Sequence, residues 1–345
     1  MADAWGDVPV QSIATDLGDD RRFSFAGAAT SDGEWLIGAS VPKAFDVEGK
    51  VTWGRSDAVL VRVSDGAVHP MAKLTTPVSQ MLFAASDGPW VVWMEADDSP
   101  YFYDWRLRLY DQDTGRVREL AHARHKGDGV LEGPWPVPWV SDDIALWGQA
   151  IGPLAGDDAL RNAVVREADL RTGDVTTLAD HAGLPVISGP WMAWGMQSGT
   201  DSYTLATNRE TGQQERLELQ FHTLALHGAS AAYNTMDYHV VCMIDDLGTG
   251  ATARPIVADP NTTYEWITIN DRAVGFAQQS LIGEPGHEPT QVYDRRLDAL
   301  VDLPMVVGFS QTFAVGPLVV WRTPTERWDD PPDFIRVVDI RDIGE

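Results

Sequence analysis

Cysteine is nearly missing from this sequence. Cys242 stands alone in 345 residues, so neither an intrachain disulfide nor a cysteine-built zinc site is available. No apolar run reaches the roughly 18 residues that a membrane-crossing helix needs. The opening MADAWGDVPV has neither a basic nor an apolar stretch, so no secretory leader is read there and a cytoplasmic location is expected. H-E-x-x-H, G-x-S-x-G, a glycine-rich nucleotide loop at a strand–helix junction and the D-x-D-x-D-G calcium loop are all absent. That removes the common metalloprotease, α/β-hydrolase and nucleotide-binding readings. No cofactor and no metal site is expected.

Lysine is scarce, occurring only at Lys43, Lys50, Lys73 and Lys126. Basic residues number 26 against 51 acidic ones, for a net charge of −25. Such a charge repels nucleic-acid phosphates and anionic membrane surfaces, so neither is expected as a partner. The plain reading of the acidity is solubility. Helical periodicity is also rare, with 157–170 the one ambiguous stretch. What remains is a chain that is 44% hydrophobic and long for one ordinary core, which suggests two domains or a single repeat fold.

Repeats decide between them. The phrase D-x-x-T-G, or a close variant, occurs at 111–115, 169–173, 208–212 and 246–250, with weakened forms at 64–66, 294–298 and 339–342. Each follows an alternating or apolar run, and most precede another, which reads as strand, tight turn, strand. The Asp or Asn caps its own turn and Gly supplies a positive φ. A second phrase lies upstream of each: WLIGAS, WVVWME, IALWGQ, WMAWGM, AAYNTM, VGFAQ and LVVWRT. Six of the seven carry an aromatic at one register, namely Trp93, Trp147, Trp194, Tyr233, Phe276 and Trp321, with Gly38 in the first. These rings are expected to lie buried between neighbouring repeats.

Seven units of four strands arranged radially make an all-β, seven-bladed β-propeller of four-stranded antiparallel blades. The blades are expected at about 15–75, 76–124, 135–182, 183–220, 221–260, 262–304 and 305–345, forming a single domain. The last unit lacks an outer strand, and the N-terminal segment 6–14 echoes the outer strand of the third. It is expected to close the last blade and hide its edge. The S-D-G and D-x-x-T-G phrases resemble TolB-like propeller repeats, although the proline of the usual S-P-D-G form is missing. That resemblance implies the fold, and a role in protein binding or as an accessory to a hydrolase.

Propeller topology sorts the loops. The D-x-x-T-G turns share one face with the other short turns. The connections between second and third strands lie on the opposite face, and 41–57, 96–105, 150–162, 280–290 and 324–333 are long. Long loops on a rigid scaffold usually carry binding or chemistry. Here they interleave aromatics with carboxylates: Tyr101, Tyr103 and Trp105 in ADDSPYFYDW, Trp135 in GPWPVPW, Trp328 in PTERWDDPPDF. Such loops suit a protein or peptide interface, or a small-molecule or glycan cleft, or are merely stiffened by their rings. The starts of the inner strands include Arg22, Gln80, Trp135, His222 and Glu265, and second strands are expected to bring Glu95, Gln149 and Gln278 beside them. This predicts a polar ring at the channel mouth, which in the simplest case holds water. If the protein is an enzyme, a lyase, hydrolase or cyclase for a glycan or secondary metabolite, His222 and Glu265 are the candidate acid–base pair. The favoured role is a binding propeller that uses its long-loop face. His122 and His125, in HARHKGDG, are read as part of an exposed basic loop.

Overall fold

The repeated phrase is a turn that closes on its own side chain. Asp111 Oδ1 accepts from the backbone N–H groups of Asp113 at 3.0 Å and Thr114 at 3.3 Å, and Gly115 follows at φ +68°. Asp169 does the same for Arg171 and Thr172, and Asn208 for Glu210 and Thr211. Glycine is required at the end of each turn because the chain must reverse through a positive φ. The computed structural model describes residues 4–6, 8–42, 55–97, 101–127, 129–153, 160–198, 201–249, 252–281, 290–303, 310–323 and 334–344.

These turns join strands into consecutive antiparallel groups. The first is five-stranded: Asp16–Gly18, Arg21–Ala29, Trp35–Pro42, Asp57–Arg62 and Val68–Lys73. Four-stranded sheets follow over 80–122, 139–180, 182–217 and 224–258. The strands of 262–302 and 310–339 form one larger sheet, because Ala277 pairs with Gln311 and Gln278 with Ser310. The chain is thus all-β, with small antiparallel sheets in a propeller arrangement. Among the described residues the one helical element is the short turn Ile340–Asp342. The ambiguous stretch resolves to a strand at Ala163–Asp169, and a small hairpin, His125–Lys126 with Gly129–Val130, occupies the basic connection.

One strand of each repeat faces the axis. Arg21–Ala29 contacts Gln80–Asp87, and the series runs on through Trp139–Ser141, Ala182–Ser188, Leu224–His227, Thr262–Ile269 and Ser310–Val315, which in turn contacts Arg21–Ala29. The repeated aromatics fill the spaces between sheets. Trp93, Trp147, Phe276 and Trp321 are fully buried, and Trp194 and Tyr233 nearly so. Trp93 packs with Ile37 and Leu60 of the preceding sheet, and Trp147 with Met94 and Leu107. Gly38 breaks the pattern because a Cβ there would collide with the Ser24 carbonyl oxygen and sit 2.6 Å from the Phe23 ring.

The N-terminal segment differs from the expected strand. Only Gln11–Ala14 pairs, antiparallel, with Phe334–Asp339. Upstream of it Gly6 turns the chain at φ +63°. Trp5 and Val8 instead insert into a core with Trp321, Val338 and Ile343. The Trp5 indole donates to Asp294 Oδ2 at 2.7 Å. Arg272 Nε donates to the same oxygen at 2.9 Å, and its Nη1 reaches the Gly344 carbonyl at 3.1 Å. One buried ion pair therefore holds residues from both ends of the chain.

Candidate functional site

The inner strands are irregular, and their irregularities build the site. Strand pairing slips between Glu265 and Thr268, and Trp266 stands in the slip at φ +53°. A large aromatic in the left-handed region is a backbone outlier that its surroundings must hold. Here the clamp comes from the neighbouring sheet. The buried Asn234 side chain donates to the Tyr264 carbonyl at 2.7 Å and accepts from Thr223 N at 2.7 Å and Thr223 Oγ1 at 2.9 Å. Ile267 N donates to Thr223 Oγ1 at 3.4 Å. Both sides of Trp266 are thereby fixed.

The bulge aims Trp266 away from its own sheet. Its ring lies 5.1 Å from Phe83 and 6.3 Å from Trp135, nearly parallel to the latter at 11°. Phe83 is 5.9 Å from Trp135, and Phe102 meets Trp135 edge-on at 6.0 Å. These residues come from the sheets of 80–122 and 262–302 and from the connection before 139, so the rings meet across the axis. All four are half-buried. Phe102 is a second outlier, at φ +56°. Beside them Tyr101 and Tyr103 stack at 6.0 Å, and Trp135 Nε1 donates to the Tyr101 carbonyl at 3.3 Å. Phe83 and Trp135 are near or before the starts of inner strands, and Phe102 follows a second strand, which puts the cluster on the side of the long connections.

Next to Trp266 lies a polar group. The His222 ring rests 4.4 Å from that of Tyr238, itself at φ +65°. Glu265 is near enough to act electrostatically on both. Burial lowers the His222 pKa, with the Glu265 charge opposing it. Burial raises that of the Tyr238 hydroxyl, and Glu265 adds to it. His222 is therefore neutral at pH 7. Among the described residues no hydrogen bond or ion pair reaches the half-buried Glu265 carboxylate.

Several expected site residues lie elsewhere. Glu95 is fully buried between sheets, where it accepts from Thr75 Oγ1 and lies 3.4 Å from Arg108. Gln149 is buried against the preceding sheet, donating to the His122 carbonyl at 3.2 Å and accepting from Arg166 at 3.1 Å. Gln278 is buried as well. Each stands two residues after a buried aromatic and so shares its inward face. They are packing residues and do not join a solvated ring. Trp105 opens the strand Trp105–Asp111 and is 5% exposed, so it belongs to the core and not to a loop. Gln80 does begin an inner strand and is half-buried. Arg22 is the second residue of its strand, with its guanidinium pKa lowered by burial. Trp328 lies outside the described residues. Asp97 serves a local network, accepting from Arg106 at 2.9 Å and from Ser79 at 2.5 Å. Phe83, Phe102, Tyr238 and Trp266 are site residues that sequence reasoning missed. Alternation along TTYEWITI places Trp266 on the Tyr264 face, and only the bulge turns it outward.

No family model matches the chain, and no curated protein matches it. Solved structures do. A prolyl endopeptidase overlays with a TM-score of 0.55 at 11% identity, over 94% of this chain and 48% of that one. The β-propeller domain of the Trilobed protease from Pyrococcus furiosus gives 0.55 at 12% identity, over 93% and 94%. TolB from Acinetobacter baumannii matches at 0.43 and 11% identity, over 75% and 62%. The chain thus spans about half the length of the endopeptidase. At these identities the likeness to the endopeptidase and to the Trilobed protease domain is one of fold, and it agrees with the propeller reading of the repeats.

Proposed function

We propose that this protein is a binding propeller that takes a protein or peptide partner on the face of its long connections. In this reading the sheets are seven blades of a closed ring in one domain, and the pairing of Gln11–Ala14 with Phe334–Asp339 completes the last blade. The observation that carries the function is the half-exposed cluster of Phe83, Phe102, Trp135 and Trp266, flanked by Tyr101 at 65% exposure. Aromatic rings held rigidly and left partly in water are the usual anchors of interfaces. Two of the four rings sit on outlying backbone, which holds them in place before a partner arrives. A photo-crosslinking side chain at Tyr101, and another at Glu210 on the opposite face, tests this in the native host. Adducts from position 101 and not from 210 support the reading; equal yields, or none at 101, remove it.

A second reading is enzymatic, with His222 and Glu265 as an acid–base pair acting on a glycan or secondary metabolite. It is favoured by one observation, the electrostatic proximity of the two groups at the mouth. A neutral imidazole beside a carboxylate is a competent base. Loss of turnover in both His222→Ala and Glu265→Gln, with Trp135→Leu active, would select it.

A further inference from the structure

We propose that the aromatic cluster and Glu265 together form a receptor for an arginine side chain of the bound partner. The inference rests on the binding-face reading and narrows it to one chemical class. Three features converge. The first is geometric. Trp135 and Trp266 present nearly parallel indoles, with Phe83 within 6 Å of each. A planar guanidinium stacks on such rings and is attracted by their π faces.

The second is electrostatic. Glu265 precedes Trp266 in the chain, is half-buried, and is reached by no hydrogen bond or ion pair among the described residues. Tyr238 and a neutral His222, the two groups that feel its charge among the described residues, supply no positive charge. Leaving a partly desolvated carboxylate uncompensated is unfavourable. A cationic ligand relieves that cost, and a guanidinium does so with two parallel hydrogen bonds. A neutral sugar would stack on the same rings but would leave the charge unmet.

The third is global. A net charge of −25 draws cations toward the surface and disfavours acidic ligands. The clamp described above explains why the receptor is rigid. Trp266 is held at a positive φ by Asn234 and Thr223, so it does not have to be ordered when the ligand arrives.

The test uses a fluorescein-labelled Gly-Arg-Gly-Arg-Gly peptide and anisotropy titration of the whole chain at low and moderate salt. Glu265→Gln and Trp266→Gly should each weaken binding by about tenfold or more. Glycine suits the positive φ at 266, so Trp266→Gly removes the ring without straining the backbone, and circular dichroism confirms that the variant is folded before it is titrated. Glu210→Gln makes the same charge change on an exposed distant turn and should shift affinity less than about twofold. Replacing arginine by citrulline in the peptide should abolish binding. Equal losses in Glu265→Gln and Glu210→Gln would mean that only the overall field binds the peptide, and the receptor is refuted. Retained affinity in Trp266→Gly refutes it too, as does binding of cellotetraose but not of the peptide. Any of these results alongside adducts at position 101 would sink the arginine receptor and leave the binding face standing. Missing adducts with intact, site-specific peptide binding would do the reverse.

Discussion

Replacing Asp294 by Asn is the sharpest perturbation of the fold. The carboxylate is fully buried and accepts from Arg272 at 2.9 Å and from Trp5 at 2.7 Å, while its other oxygen accepts from the backbone N–H of Arg296 at 2.8 Å and Leu297 at 3.0 Å. Asn is nearly isosteric, so packing is kept and charge is lost. What remains is the Arg272 guanidinium, 4% exposed, with no carboxylate opposite it. Breaking a buried pair in this way costs about 3–5 kcal/mol, most of it the stranded charge. The double variant Asp294→Leu, Arg272→Met removes both charges and should recover much of that loss. Urea unfolding followed by tryptophan fluorescence measures both, with an unchanged denaturant slope as the check on two-state behaviour. The pH dependence has a fixed sign. Burial alone would raise the Asp294 pKa, but hydrogen bonds from Leu297 N, Arg272, Trp5 and Arg296 N bring it below the ordinary carboxyl value. A depressed carboxyl contributes stability that is full above its unfolded pKa, about 3.9, and is lost as pH falls through the folded value. The gap between wild type and Asp294→Asn should therefore narrow on acidification below about pH 5. A cost under about 1 kcal/mol at pH 7, or a gap that widens in acid, would refute the reasoning.

Other outcomes follow from the same structure. Deleting residues 1–14 removes the partner of Phe334–Asp339 and the buried Ile13, so the melting temperature should fall and the protein should aggregate; unchanged melting and monomeric elution would contradict this. Trp147→Ala should cost about 3–5 kcal/mol by urea titration, because the ring is wholly enclosed between two sheets. Cys242 is 9% exposed, and burial raises its thiol pKa, so Ellman's reagent should label it only as fast as the chain opens; immediate labelling at pH 8 would show the strand Val240–Ile244 to be misplaced.

The repeats were legible because they are local. A turn such as 111–115 closes on its own Asp, and a ring such as Trp93 recurs at a fixed distance from the next turn, so spacing alone locates both. The site was less legible because it depends on departures from regularity. Strict alternation puts Trp266 inside the sheet, and the slip that frees it is set by Asn234 and Thr223 of another sheet, about 30 residues away or more. The same distance effect misplaced Glu95 and Gln149. Sequence marks them as polar residues at strand ends, and only the neighbouring sheet, with Thr75 and the His122 carbonyl, shows that they are enclosed. His222 and Glu265 lie within electrostatic reach of each other, a proximity that follows from the order of successive inner strands alone.

The pairing of Gln11–Ala14 with Phe334–Asp339 also has a temporal side. Ser12 and its partner Arg336 are 324 residues apart in the chain. During synthesis at roughly 5–20 residues per second, the first strand waits on the order of 16–65 s before its neighbour exists. Every other sheet can assemble as it emerges, from strands that follow one another closely. The first strand cannot, and neither can Trp5, whose acceptor Asp294 comes almost as late. Throughout that interval the nascent protein carries an unpaired strand bearing Ile13 and an uncovered indole. Gly6, Pro9, Gln11 and Ser12, in and beside that strand, are polar or turn-forming residues of the kind that disfavour pairing elsewhere in the interval.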